Sequence, residues 1–192
     1  MKSIRIATPA DAEQILSIYA PYILNTTTSF ELEVPSITEF GNRIKKYVSE
    51  APWLVCVKGE EIVGYAYASP HRGRAAYQWN QEVSVYIKEA FHRQRIAHIL
   101  YDRLFQLLQL QGYTNALAGI VAPNPASEGF HLSMGFSKVG TYKNIGYKFG
   151  AWHDVTWYEK FLQSQDQLPT TLLSMDQLKT LDTYQKIMEF KW

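Results

Sequence analysis

Between His92 and Gly112 apolar residues recur at three- and four-residue steps, at Ile96, Ile99, Leu100, Leu104, Leu107 and Leu108. This spacing predicts a helix with one buried face that opens after a loop at 91–97 and is stopped by the glycine. Two other stretches carry helix-start chemistry. Thr8-Pro9-Ala10-Asp11 joins an N-cap residue, a first-turn proline and an acid, and predicts a helix to about residue 22; Ser36-Ile37-Thr38-Glu39 repeats the capping pattern and predicts another to about residue 50. Residues 25–35 cluster threonines without a helical period and read as a loop. Compact apolar or alternating runs predict strands at 4–7, 53–58, 62–69, 77–87, 115–121 and 154–161. The short link Gly59-Glu60-Glu61 makes the second and third of these an antiparallel hairpin. Asn124 or Pro125 opens a short helix ending near Gly135.

Strands and helices alternate in this way in an α/β (α+β) fold, one layer of sheet covered by helices. Past Phe161 the chain turns rich in Gln, Ser, Thr and Asp, and Leu178, Leu181, Tyr184, Ile187 and Met188 predict a terminal amphipathic helix over 175–188.

Composition narrows the function. Nineteen basic residues against eighteen acidic ones leave a net charge of +1, with no long basic stripe, so neither nucleic acid nor an anionic membrane is an expected partner. The N-terminal Met1-Lys2-Ser3-Ile4-Arg5-Ile6 lacks a secretory apolar core and no stretch is long enough to span a bilayer, so a cytoplasmic protein is expected. Cys56 lies in an apolar run and reads as an inert core thiol. The five histidines, at 71, 92, 98, 131 and 153, are scattered, and no metal is expected.

The strand at 82–87, followed by Phe91-His92-Arg93-Gln94-Arg95-Ile96-Ala97 at the start of a helix, resembles the pyrophosphate motif of the GNAT superfamily of N-acetyltransferases. Ser29-Phe30-Glu31, Pro52-Trp53, Gly64-Tyr65-Ala66-Tyr67-Ala68, the 72–77 loop, Glu82-Val83-Ser84-Val85-Tyr86, Phe130-His131 with Gly135-Phe136, and Trp152-His153-Asp154-Val155 are similar to the phosphinothricin and methionine sulfoximine acetyltransferase subgroup. The resemblance implies a mixed, mostly antiparallel sheet flanked by helices, an acetyltransferase domain over 1–162, and an extension over 163–192 that inherits nothing from it. It also implies acetyl-CoA as cosubstrate, the amine of a small amino-acid-like substrate as acceptor, and a homodimer. The motif departs from the family pattern at two places: His92 stands where Gln or Arg is usual, and Arg95 stands at the first glycine.

A helix N-terminus offers unpaired N–H groups and a positive dipole end to a phosphate. The resemblance therefore puts the cofactor on Arg93, Gln94, Arg95, Ile96, Ala97 and His98, with Val83, Val85 and Tyr86 along the pantetheine arm and Asn124 beside it. Asn124 reads equally as a plain helix cap. Acetyl transfer needs a neutral amine and so a base. The resemblance assigns that role to Glu82, with His131 as second base or substrate donor and the Val85 N–H as donor to the developing oxyanion. Without the resemblance, Glu82 is a solvent-facing or arginine-paired strand glutamate, and His131 a helix histidine packed on Trp or Tyr. Arg72 and Arg74, with Tyr77 behind them, form either a clamp for a substrate carboxylate or phosphinate or a basic surface loop. Phe30 and Glu31 are expected over the substrate. Two other readings stand beside this one: the same fold acting on a polyamine or a protein N-terminus, and a degenerate fold used for CoA sensing or as an interaction module.

Overall fold

The computed structural model describes residues 2–166 and 168–189, so the outer limits of the two expected segments, 1 and 192, lie outside the described residues. Asp11 turns the first strand into the first helix. Its carboxylate accepts two bonds of 2.7 Å from the Arg5 guanidinium and the Thr8 N–H at 2.7 Å, which carries the chain from β1 (Lys2–Ile6) through one 3-10 turn into α1 (Ala12–Asn25). Ser36 caps α2 (Ile37–Glu50) by accepting the Glu39 N–H. The hairpin of β2 (Trp53–Lys58) and β3 (Glu61–Pro70) is antiparallel, as its short link predicts. The next strand, β4 (Asn80–Ile87), begins later than expected because Ala75–Tyr77 forms a 3-10 turn.

The following helix, α3 (Ile96–Gln111), starts four residues past His92 and ends at Gly112, which has φ 101° and the left-handed conformation the stop requires. β5 (Asn115–Ala122) and α4 (Pro125–Ser133) lie where the pattern puts them. The hairpin of β6 (Ser137–Lys148) and β7 (Ala151–Phe161) is longer than expected: β6 was not predicted and β7 starts three residues early. The terminal helix is two short ones, α5 (Met175–Lys179) and α6 (Asp182–Met188), broken at Thr180 and Leu181.

The sheet order is β1-β2-β3-β4-β5-β7-β6. Every neighbouring pair is antiparallel except β4 with β5. On one face α3 buries Leu100, Leu104, Leu107 and Leu108, and Met175, Leu178, Tyr184 and Ile187 of the tail join the same cluster. The tail is tied there by polar contacts as well: Gln111 Nε2 donates to the Leu173 carbonyl, and Trp79 Nε1 to the Thr170 carbonyl. On the other face α1 and α2 cover an aromatic row in which Trp53 stacks on Tyr67 at 4.2 Å and Tyr65 on Tyr86 at 5.3 Å. Cys56 is fully buried, and burial pushes its thiol up to about 11, which keeps it protonated and inert.

Candidate active site

β4 and β5 stay paired only through Asn80 with Asn115, Gln81 with Ala116 and Glu82 with Leu117. Beyond Glu82 the two strands part, although both continue, and the backbone of Val83, Val85 and Tyr86 borders the opening. The gap leads into a cleft of about 630 Å³ whose lining includes Tyr19, Phe30, Glu31, Glu82, Tyr142 and Trp157. A recess of about 60 Å³ at its back is lined by Val85, Tyr101, Asn124, Ser127 and His131. A second chamber of about 400 Å³ lies beyond Tyr142 and Trp157, which line both, and His71, Arg72 and Glu159 line it too.

At the outer end of the gap no side chain caps α3; its N-cap is Arg95. Arg95 has φ 60° and Arg93 φ 59°, so both adopt the left-handed conformation glycine would supply. A guanidinium thus stands at the position of the family pattern's first glycine, on backbone of the left-handed kind. His92 turns away from this end, with Nε2 3.0 Å from the Ile87 carbonyl. Gln94 accepts from Lys2 at 3.0 Å. Ile96 is buried in the core, so only its backbone faces the loop, while His98 lies edge-on to Phe130 at 5.0 Å.

Glu82 stands where the strands begin to part, its side chain 37% exposed. His131, by contrast, is 5% exposed. Its Nδ1 lies 2.8 Å from the Ser127 carbonyl and its Nε2 3.2 Å from the Tyr101 hydroxyl. A neutral ring satisfies both, donating through Nδ1 and accepting at Nε2. Burial lowers its pKa below the ordinary 6.5, with the Ser127 carbonyl pulling the other way. The packed reading of His131 describes its surroundings, and the recess still brings it to the back of the cleft. Asn124 caps α4 by accepting the Ser127 N–H at 3.1 Å, and it lines the same recess.

The loop between α1 and α2 forms the opposite wall. Glu31 accepts from Arg43 at 2.7 Å and from the Tyr19 hydroxyl at 3.0 Å. Phe30 presses on Gly146 of β6, where a Cβ would fall on the Phe30 ring and displace it. Lys148, 4% exposed, donates to the Ile23 carbonyl at 2.6 Å and to the Ser29 carbonyl at 2.7 Å, binding the loop to the β6–β7 hairpin.

The arginine loop divides. Arg72 reaches the second chamber with its guanidinium over Tyr77 at 5.8 Å, whereas Arg74 and Tyr77 line neither chamber. Sequence reasoning missed the neighbour that joins this loop to the cleft: His71 Nδ1 lies 2.8 Å from Glu82 Oε1. It also missed Tyr142, since β6 was not seen, and Trp157, which sits in a strand read only for its core pattern. Among the described residues no group of three or more metal-ligating side chains occurs and no helix is long and apolar enough to cross a membrane.

Residues 4–157 match the family described as Acetyltransferase (GNAT) domain. The chain is 33% identical over 157 residues to a phosphinothricin N-acetyltransferase of Streptomyces viridochromogenes, covering 82% of this chain and 86% of that one. It is 29% identical over 161 residues to an L-methionine sulfoximine/L-methionine sulfone acetyltransferase of Salmonella typhimurium, covering 82% and 92%. Among solved structures, a GNAT superfamily phosphinothricin acetyltransferase from Sinorhizobium meliloti in complex with AcCoA superposes with a TM-score of 0.83 at 29% identity, covering 88% of this chain and 93% of that one.

Proposed function

The chain belongs to the GNAT acetyltransferase family, and on that premise we propose that it acetylates the amino group of a small amino-acid-like substrate, of the phosphinothricin or methionine sulfoximine type, from acetyl-CoA. The observation that carries this reading is the parting of β4 from β5 directly after Glu82. It leaves strand backbone free to pair with an extended amide-bearing arm and puts a carboxylate at the arm's inner end.

The chain's own groups fit the cosubstrate. The uncapped start of α3, with Arg93 and Arg95 beside it, suits a diphosphate. Acetyl-CoA, when bound, supplies an acetyl thioester. Glu82 takes a proton from the incoming ammonium, which makes the nitrogen lone pair available; the C–N bond then forms as the thioester C–S bond breaks, and a second nitrogen proton leaves with the thiolate as free thiol. The Val85 N–H donates to the carbonyl oxygen where negative charge builds. Asn124 and His131 shape the recess behind that carbon. Phe30, Glu31 and Tyr19 close over the amine side, and Arg72 offers a cation to the substrate's acidic group from the second chamber. Tyr77 supports Arg72 from outside through its ring.

A homodimer accords with the edge hairpin. Val139, Tyr142, Ile145, Tyr147 and Trp152 are each more than half exposed there, an apolar surface of the kind partner subunits cover. Light scattering is expected to give twice the 22.1 kDa chain mass, and Ile145→Lys to shift it toward one. A cytoplasmic setting suits both the cosubstrate and the lone Cys56 thiol.

The deciding assay follows thiol release from acetyl-CoA with L-phosphinothricin, methionine sulfoximine, methionine sulfone, common amino acids and spermidine. The amino-acid analogues are expected to be turned over, and Glu82→Gln to lower kcat on the order of a hundredfold or more with acetyl-CoA affinity unchanged. Turnover of spermidine alone, or full activity in Glu82→Gln, contradicts the reading.

A further inference from the structure

The base of the reaction has a partner that the reading above leaves without a role. His71 follows the last residue of β3, and its Nδ1 lies 2.8 Å from Glu82 Oε1 across the β3–β4 pair. Arg72 Nε–H donates to the other ring nitrogen, Nε2, at 3.3 Å. Because a guanidinium can only donate, Nε2 must be the accepting nitrogen and the ring proton must sit on Nδ1, facing the carboxylate. Trp157 holds the ring edge-on at 5.4 Å and Tyr77 at 6.2 Å. The histidine side chain is 17% exposed against 37% for the glutamate, so the held group is the more open of the two to solvent.

We propose that His71 is a positioning residue for Glu82: its Nδ1–H fixes Oε1, and the remaining oxygen, Oε2, is left to take the amine proton. The proposal rests on Glu82 being the base. A strand glutamate alone can swing its carboxylate through several rotamers, and a general base acts only within hydrogen-bond reach of the proton it removes. The proton leaving the amine goes to Oε2. The Nδ1 proton stays on His71 throughout, because giving it up would leave an imidazolate, and Arg72 on the ring's other nitrogen keeps that site from taking a proton in exchange.

An ordinary surface ion pair would add little to stability and nothing to turnover, which separates the two roles experimentally. With acetyl-CoA and L-phosphinothricin or L-methionine sulfone as probes, His71→Ala is expected to lower kcat about tenfold, the order of one charge-assisted hydrogen bond, with both KM values within about twofold. His71→Asn, whose side-chain N–H can stand in for Nδ1–H, recovers most of the loss. In the Glu82→Gln background His71→Ala has no further effect. Wild-type kcat in His71→Ala, or the same loss in both backgrounds, overturns the positioning role while leaving Glu82 as base. A wild-type kcat in Glu82→Gln overturns both. A long-range proton–nitrogen spectrum of the wild-type protein gives a test without substrate: an Nδ1-protonated ring whose signal shifts in Glu82→Gln supports the proposal, and an Nε2-protonated ring sinks it.

Discussion

The two walls of the cleft are built from different material. One is main chain: the parted edges of β4 and β5 and the start of α3. The other is side chain: Phe30 on Gly146, Glu31 on Arg43, Lys148 under the loop. A main-chain wall presents the same N–H and carbonyl groups whatever residues carry it. That is why Arg95 can stand at a glycine position and still leave the backbone in the left-handed path. A side-chain wall changes with every substitution, so the choice of amine is expected to reside there.

The largest test of this contrast is Gly146→Val. Its Cβ would fall on the Phe30 ring and push the loop off the cleft, and a displacement of about 1 Å can cost about a hundredfold. We expect kcat/KM for the amine to fall by about that factor while KM for acetyl-CoA holds within about twofold; an equal rise in both would mean that the walls are not independent.

Lys148→Met comes next. It strips the donor from the buried Ile23 and Ser29 carbonyls and should lower unfolding stability by about 2 kcal/mol in urea titrations. The wild-type contribution also has a pH signature. Burial lowers the Lys148 pKa from 10.5, with Glu31 opposing, so near and below that value the unfolded chain holds the proton more tightly. Stability from this group therefore rises with pH up to about 10.5, a slope the methionine variant should lack.

Arg95→Gly probes the other wall. Releasing the left-handed arginine should add about 1 kcal/mol of stability in thermal melts, while calorimetry shows acetyl-CoA binding weakened by a few-fold for loss of the cation. Tighter binding would mean that the guanidinium opposes the phosphates. The smallest effect is expected at His131. Burial lowers its pKa, so the unfolded chain takes up a proton first on acidification, and stability should fall as pH drops below 6.5. His131→Leu should flatten that slope between pH 7 and 5.5, measured as the urea midpoint (values on the scale of the ordinary histidine pKa of about 6.5).

The main-chain wall was legible in the sequence, since Ile96 to Leu108 keep a strict helical period and Glu82 to Val85 alternate. The side-chain wall was not, because β6 hides its strand. Its pairing slips between Lys138 and Gly140 and again between Tyr142 and Gly146, and Asn144 adopts φ 49°, so no period of two survives. Its apolar residues also face outward, where no core within the chain selects them. His71 was missed for a related reason: 70–75 looks like a polar surface loop, and the contact with Glu82 comes from cross-strand register, which pairs Ser69 with Glu82. The break between α5 and α6 arises at Thr180 and Leu181, where the chain turns so that Leu178 and Tyr184 reach the same core.

Lys148 is itself a primary amine. A protein of an N-acetyltransferase family keeps one of its own primary amines just behind the loop that walls its cleft. Its ammonium is bound to two carbonyls and shielded from solvent, so it has no free lone pair and no room for an incoming acyl group. The contact that holds the loop is thus expected to spare this lysine from acetylation as well, and mass spectrometry of the folded protein after prolonged turnover should find it unmodified while exposed ones such as Lys143 slowly acquire acetyl groups.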